Sequence, residues 1–249
     1  MSLNFTNALF ISDIHLTENR PDCVRAFFDF IEWVPASTEA LFILGDFFEY
    51  WLGDDINSEL SEQVANALSQ LAKQKSVQIF YMAGNRDFAL GEHYCKLCSM
   101  SWLEDGTLAT IDGLKVYLSH GDLFCTDDKS YQRFRKIIRH PVVLFLLRRS
   151  PKAYRKNLAA KLRAKSKQKY QQNPTFIDVT NSAISHTFKQ SQCDLIIHGH
   201  THMADIHVHN YKPQQLRMVL GDWDQVGWYG SIEQQQPQLT QFSIENPSF

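Results

Sequence analysis

Five apolar runs in this chain each lead into side chains that can bind metal ions. They are Phe10-Ile11-Ser12-Asp13-Ile14-His15, Leu44-Gly45-Asp46, Gly84-Asn85-Arg86-Asp87, Ser119-His120-Gly121-Asp122 and His198-Gly199-His200-Thr201-His202. The apolar stretches have the length of buried strands, and the polar residues follow them rather than interrupt them. Open α/β sheets bind ligands outside the carboxyl ends of their strands. This order restricts the chain to an α/β fold whose strand ends converge on one site.

The spacing predicts a strand over Ala8 to Ser12, then a helix in which Val24, Phe27, Phe28, Ile31 and Val34 share a face and Pro35 ends the run. A second strand runs from Ala40 to Leu44. Leu60, Val64, Ala67, Leu68 and Leu71 mark a second helix, capped by Asn57 or Ser58, and Val77 to Met82 is a third strand. Strand, helix, strand, helix, strand is a right-handed parallel unit. Thr107 to Ile111 and Leu114 to Ser119 flank Asp112-Gly113, the signature of a hairpin turn. Further strands are expected at Asp194 to Ile197, Ile206 to His209, Leu216 to Leu220 and Leu239 to Ile244, and Glu233 to Pro237 reads as a surface turn.

Between these halves lies a segment of different character. From Lys129 to Lys169 there are 15 Lys or Arg and no Asp or Glu; the remaining 10 basic and all 27 acidic residues give the rest of the chain a charge of −17. The segment is helical in composition and broken by Pro141, Pro151 and Pro174. We divide the chain into a core of residues 1–124 and 176–249 and a basic helical insertion of residues 125–175. The insertion holds Val142-Val143-Leu144-Phe145-Leu146-Leu147 between Arg139-His140 and Arg148-Arg149, a pattern suited to an anionic lipid surface. A solvated helical lid is the plainer alternative. The five cysteines are odd in number and scattered, which does not suggest a disulfide framework and fits a reducing cytoplasm. Cys95-Lys96-Leu97-Cys98 has no second pair to complete a zinc site. Met1 to Asn7 has no secretory pattern, and no apolar run reaches the ~20 residues of a membrane span.

Asp, Asn and His together suit a two-metal site. A carboxylate can touch both ions, and neutral imidazoles hold borderline divalent metals. Asp46 is the expected bridge. One ion would take Asp13, His15, Asp46 and His200; the other would take Asp46, Asn85, His120 and His198. Ions so placed activate water for attack on a phosphate ester or anhydride.

At these residues the chain resembles the calcineurin-like metallophosphoesterases, whose signature is Asp-x-His, Gly-Asp, Gly-Asn-(His/Arg)-(Asp/Glu), His and Gly-His-x-His in that order. Ile43 to Glu49, Trp51 to Asp55, Gly84 to Phe88, His120 to Asp122, Cys125 to Asp128, Arg163 to Ser166, Ile197 to His202 and Leu220 to Trp223 resemble, more narrowly, the branch acting on UDP-2,3-diacylglucosamine in lipid A assembly. The resemblance implies a four-layer α/β/β/α sandwich with a helical cap that binds lipid. It implies two Mn²⁺, with other divalent ions admissible, and water attacking the α-phosphorus to give UMP and 2,3-diacylglucosamine 1-phosphate. It implies an enzyme on the cytoplasmic face of the inner membrane, held there peripherally, with a UDP-linked diacylated glucosamine and an anionic membrane surface as partners. No nucleic acid partner is expected. The oligomeric state is not fixed, with a monomer as the default.

Asp46, Asn85, Arg86 and His120 are the expected catalytic group. By the family pattern Asn85, Arg86, Asp128, Ser166 and His198 also contact substrate. After Ser166 the pattern departs from the family: Tyr170, Gln172 and Asn173 occupy the stretch where an Asn and then a Lys are usual, Lys169 and Tyr170 are the candidate substrate contacts there, and Met203 stands where an Arg is common. Arg86 replaces the His that protonates an alkoxide leaving group in related enzymes. An arginine is a poor acid and a good phosphate clamp, which favours an anhydride whose leaving group is already a stable anion. The plainer alternative is that Arg86 pairs with its neighbour Asp87. A nuclease or phosphomonoesterase of the same fold, and a non-catalytic metal-stabilised scaffold, are the competing functions.

Overall fold

The structure is a computed structural model, and it describes residues 3–55, 58–161, 178–211 and 213–249. Ser166, Lys169, Tyr170 and Pro174 lie outside the described residues.

Two six-stranded sheets stack face to face. In the first, β2 (Ala8–Ile11), β3 (Ala40–Ile43), β4 (Gln78–Met82) and β5 (Met100–Leu103) run parallel, β11 (Val226–Glu233) adds antiparallel beside β2, and β12 (Gln236–Ser243) adds antiparallel beside β11. In the second the order is β1 (Leu3–Phe5), β6 (Thr107–Ile111), β7 (Leu114–Leu118), β8 (Leu195–His198), β10 (Gln214–Val219) and β9 (Asp205–Tyr211). Helices α1 (Pro21–Trp33), α2 (Glu59–Gln74) and α3 (Glu92–Leu97) cover the first sheet, and α7 (Asn181–Ser191) covers the second.

The period of two along each strand builds these layers. Phe10, Phe42, Phe80 and Met82 face the second sheet, where they meet Val116, Leu118, Leu195, Ile197 and Met218. The alternate residues Leu9, Ile11, Leu41, Ile43, Ile79 and Tyr81 face the helices instead. The second sheet does the same with Ile196, which packs under α7 with Phe124, Ile184 and Phe188. The result is the expected four-layer α/β/β/α sandwich.

Local signals set the helix ends. Pro21 opens α1, and Val34 leaves the helix with ψ 117°, as a residue before proline must. The helix buries Cys23, Ala26, Phe27, Phe30 and Ile31; each fully buried phenylalanine contributes ~1.5–3 kcal/mol. Ser58 caps α2 by accepting from Ser61 N–H, while Ser61 Oγ returns to Ser58 N–H. Ser58 is therefore the cap, and Asn57 lies outside the described residues. The hairpin turn falls at Asp112-Gly113, with φ 47° and 83°. Strands β1, β5 and β11 and helix α7 are additions to the expected set. In β11, Gly227 and Gly230 erase the apolar alternation; a Cβ at Gly227 would lie 2.1 Å from the Phe242 ring.

The described part of the insertion is α4 (Lys129–Ile138), α5 (Pro141–Arg149) and a helical stretch over residues 152–161, here α6. Its basic residues divide into two sets. Arg135, Arg139, Arg148, Lys152 and Arg155 bind acceptors on the core: Asp122 and Asp105, Gly84 O, Leu90 O, Asp55 O, and Leu52 O with Asp55. Arg155 is buried and bidentate on Asp55. Lys129, Arg133, Lys136, Arg149, Lys156 and Lys161 stay exposed. Part of the basic excess thus fastens the cap to the acidic core. All five cysteines are free and buried, and burial pushes the thiols of Cys95 and Cys98 up to about 12, which removes the thiolate that metal or redox chemistry needs.

Candidate metal centre

The loops after β2, β3, β4, β7 and β8 meet between the two sheets. Backbone hydrogen bonds continue past the strands to hold them in register: Asp13 N–H donates to Gly45 O, His15 N–H to Asp46 O and Gly199 N–H to His120 O. Gly45 makes the approach possible. It sits at φ 94°, and a Cβ there would lie 2.5 Å from His120 Nδ1 and 2.7 Å from Gly84 Cα. Gly199 is as tightly placed, since a Cβ would lie 2.0 Å from Asp13 Oδ2.

Five of the gathered residues hold left-handed backbone: Asp13 at φ 54°, His15 at 54°, Asp46 at 50°, His200 at 68° and His202 at 58°. Such conformations cost about 1–3 kcal/mol each in non-glycine residues and collect at functional sites. Here they re-aim side chains that a continuing strand would send to opposite faces.

Two groups result. Asp13, His15 and His202 bring ligand atoms within 4.8 Å of one another, and so do Asp13, Asp46 and His120. Asp13 Oδ2 accepts from Ser12 Oγ at 2.6 Å and from His200 N–H at 2.8 Å. Its other oxygen faces His202 Nε2 at 3.3 Å without hydrogen-bond geometry. Both ring nitrogens of His15 are buried and lack a hydrogen-bond partner among the described residues. Around Asn85, His120 Nε2 approaches Oδ1 at 3.0 Å and His200 Nδ1 at 2.8 Å. His120 Nδ1 lies 2.9 Å from Leu44 O, and this hydrogen-bond pattern assigns its proton to that side. Its Nε2 lone pair then points at an oxygen that also only accepts, an arrangement that a shared cation resolves. The donor set of carboxylates, imidazoles and one amide oxygen, with orphaned polar atoms turned inward, fits divalent metal ions.

Burial dominates the electrostatics. It raises Asp46 to about 7, aided by the charges of Asp13 and Asp87. It lowers His15 to about 3 and His200 to about 4, leaving both rings neutral, as ligands must be. Burial would also lower His202, but Asp13 and Asp222 outweigh it and hold the ring at about 10. In Asp13, burial is outweighed by His202, and the carboxyl stays far below its ordinary value.

The side chains gather differently from the expected grouping at three histidines. His198 does not join the cluster. It still belongs to β8, in the same parity as Ile196, so its ring turns to the α7 layer and packs edge-on against Phe124. Its Nδ1 is 2.8 Å from Gly199 O and its Nε2 3.1 Å from Arg217 Nη1, so its single lone pair is already taken. His202 occupies the place beside Asp13 and His15, and His200 moves to Asn85 and His120. The signal was present in the sequence: the Gly-His-x-His signature falls on Gly199-His200-Thr201-His202. In β7 the parity of Val116 and Leu118 instead carries His120 toward the other sheet.

Arg86 lies on the rim, its side chain 39% exposed, with Nη1 donating to Glu49 Oε1 at 2.7 Å. Its backbone N–H donates to Asp46 Oδ1 at 2.8 Å. It does not pair with Asp87, which is buried and accepts from Phe47 N–H and Gly84 N–H, stapling two of the ligand loops together. Asp128 caps α4 by accepting from Tyr131 N–H at 3.0 Å and from Ser130 Oγ at 2.6 Å. The first turn of α4 thereby hangs over the centre: the Tyr131 ring stacks on His200 at 6.1 Å, and its hydroxyl donates to Asp122. Concavities of about 480 Å³ beside Phe28 and Leu60, and of about 250 Å³ beside Tyr94, lie away from the centre and gather no ligand cluster among the described residues.

Residues 6–204 match the model of the calcineurin-like phosphoesterases. A UDP-2,3-diacylglucosamine hydrolase of Pseudomonas fluorescens (strain SBW25) is 40% identical over 241 residues, 96% of this chain and 96% of that protein. A UDP-2,3-diacylglucosamine hydrolase of Tolumonas auensis (strain DSM 9187 / NBRC 110442 / TA 4) is 41% identical over 228 residues, 90% of this chain and 92% of that protein. Among solved structures, Vps29 of Entamoeba histolytica complexed with zinc aligns with a TM-score of 0.45 at 11% identity, covering 96% of this chain and 99% of that one.

Proposed function

The chain belongs to the calcineurin-like phosphoesterase family and is a metal-dependent hydrolase; from that premise we propose that it cleaves the pyrophosphate of UDP-2,3-diacylglucosamine at the α-phosphorus, releasing UMP and 2,3-diacylglucosamine 1-phosphate. The carrying observation is the convergence of Asp13, His15, Asp46, Asn85, His120, His200 and His202 at one rim, with the Arg86 guanidinium beside them. Relatives at 40% identity over nearly the whole chain carry the name of that hydrolase.

Asp13, His15, Asp46 and His202 would hold one divalent cation and Asp46, Asn85, His120 and His200 a second, with Mn²⁺ the preferred metal. When bound, such a pair lowers the pKa of water toward neutrality and offsets phosphate charge. The remaining chemistry belongs to the protein. Ser12 and the His200 amide fix Asp13 Oδ2 and leave its other oxygen for the centre. Leu44 O fixes the His120 tautomer. Arg86 supplies a planar, permanently charged fork for phosphate oxygens, and Glu49 holds that fork at the rim. A phosphomonoester leaving group needs this charge more than it needs a proton.

The cap supports a lipid substrate. Ile137, Val142, Phe145, Leu146 and Tyr154 are exposed in a region that also carries the exposed Lys136, Arg149 and Lys156. No described helix is long and apolar enough to cross a membrane. A peripheral position on the cytoplasmic face of the inner membrane fits such a surface.

The test is hydrolysis of UDP-2,3-diacylglucosamine with added Mn²⁺ and product identification, run beside p-nitrophenyl phosphate and single-stranded DNA. Formation of UMP and the lipid 1-phosphate, far faster than either control, is expected. Faster cleavage of DNA or of p-nitrophenyl phosphate would replace this reading by a nuclease or a phosphomonoesterase.

A further inference from the structure

We infer that Asp222 is a positioning residue of the metal centre: its carboxylate orients His202 from outside the ligand set. The inference rests on the reading of His202 as a ligand and goes beyond it to a residue that does not itself face the centre. His202 lies between two carboxylates. Its Nε2 is 3.3 Å from Asp13 Oδ1, within the Asp13, His15, His202 group, and its Nδ1 is 3.2 Å from Asp222 Oδ2. In the neutral form that a ligand needs, a proton on Nδ1 faces the Asp222 carboxylate and the lone pair stays on Nε2, the nitrogen that faces Asp13 and His15. The contact selects the tautomer and the ring plane together.

The loop carrying Asp222 is itself anchored at the centre. It follows β10, the neighbour of β8, and Trp223 N–H donates to Asp13 O at 3.2 Å. The Trp223 indole is buried against Phe30 and Phe242, and its Nε1–H donates to Trp228 O. Asp222 is thereby set at a fixed distance from Asp13, with His202 between them. Its side chain is 34% exposed, so replacing it leaves the core intact. His202 needs this restraint: it lies in a loop at φ 58°, with 29% of its side chain exposed, and no strand fixes its direction. Asp224, two residues on, pairs with Arg20 at the surface and serves as the internal control.

The test measures Mn²⁺ affinity directly, by loss of the free-ion spin-resonance signal during titration of the full chain, with thermal unfolding as a check on the fold. Asp222→Ala should weaken one of the Mn²⁺ sites by about 10–100-fold, the usual effect of removing a ligand's outer partner. Asp222→Asn keeps an acceptor oxygen and should recover most of that loss. Asp224→Asn should bind as the parent does. Excess Mn²⁺ should restore turnover in Asp222→Ala. Parent-like Mn²⁺ affinity in Asp222→Ala, with His202→Ala clearly impaired, overturns the proposal alone. Parent-like affinity in His202→Ala overturns the ligand reading beneath it.

Discussion

Asp122→Ala probes how the insertion is held over the centre. The Asp122 carboxylate is fully buried, and its Oδ2 accepts from Tyr131 Oη at 2.5 Å, Arg135 Nε at 2.7 Å and Arg139 Nη2 at 3.3 Å. The two arginine side chains are only 14% and 18% exposed. Removing one member of a buried ion pair costs about 3–5 kcal/mol, because the partner charge is left unpaired. Arg135 would keep Asp105 and Arg139 would keep Gly84 O, each at 2.8 Å, which places the cost near the lower end, about 3 kcal/mol. For a chain of this size that loss corresponds to a fall in Tm of about 6–12 °C, read by circular dichroism at pH 7 and constant Mn²⁺. The difference should also depend on pH in one direction. Burial alone would raise the Asp122 carboxyl, but His120, Arg139 and Arg135 outweigh it and hold it below its ordinary value of 3.8. A group depressed in the folded state contributes in full above its unfolded pKa and loses that contribution as pH falls through the folded one. The gap between parent and variant should therefore be constant from pH 7 down to about 4 and close only in stronger acid. A fall in Tm below about 2 °C, or a gap that closes near neutral pH, would refute the clamp.

Asp46→Ala and His120→Ala should each abolish hydrolysis while leaving the circular dichroism spectrum unchanged; near-normal turnover in either folded variant counts against the assignment. His198→Gln should retain two Mn²⁺ per chain and His202→Ala should lose one, counted by plasma mass spectrometry, and the reverse pattern would reinstate His198 as a ligand. Removing metal with a chelator should lower Tm, since an ion at 100 times its Kd adds about 2.7 kcal/mol per site, or roughly 5–10 °C here, and Mn²⁺ should restore it. An unchanged melting curve after verified metal removal would contradict the fit between cation and fold.

The parallel strands were legible because apolar runs of strand length stop at Gly-Asp or Gly-Asn, and the layers because Phe10, Phe42 and Phe80 alternate with Leu9, Leu41 and Ile79. Strand β11 was not, since Gly227 and Gly230 sit where side chains from neighbouring strands need the space. The side chains that gather at the centre were legible as a set, with one exchange. Three histidines spaced by two give a strand reading no means of placing the strand end. The end falls at His198, so parity sends that ring outward, while positive φ at His200 and His202 turns the next two inward. The basic run was legible as a segment but not as two sets of residues. Which arginines meet Asp122, Asp105 and Asp55 depends on contacts 13 to 100 residues apart in sequence.

The central expectation is that two cations share Asp46 between the two sheets. Anomalous scattering at the manganese edge from Mn²⁺-soaked crystals tests this directly. Two peaks are predicted, one among Asp13, His15, Asp46 and His202 and the other among Asp46, Asn85, His120 and His200. A crystal that takes up no manganese there, or a peak on His198 in place of His202, would contradict it.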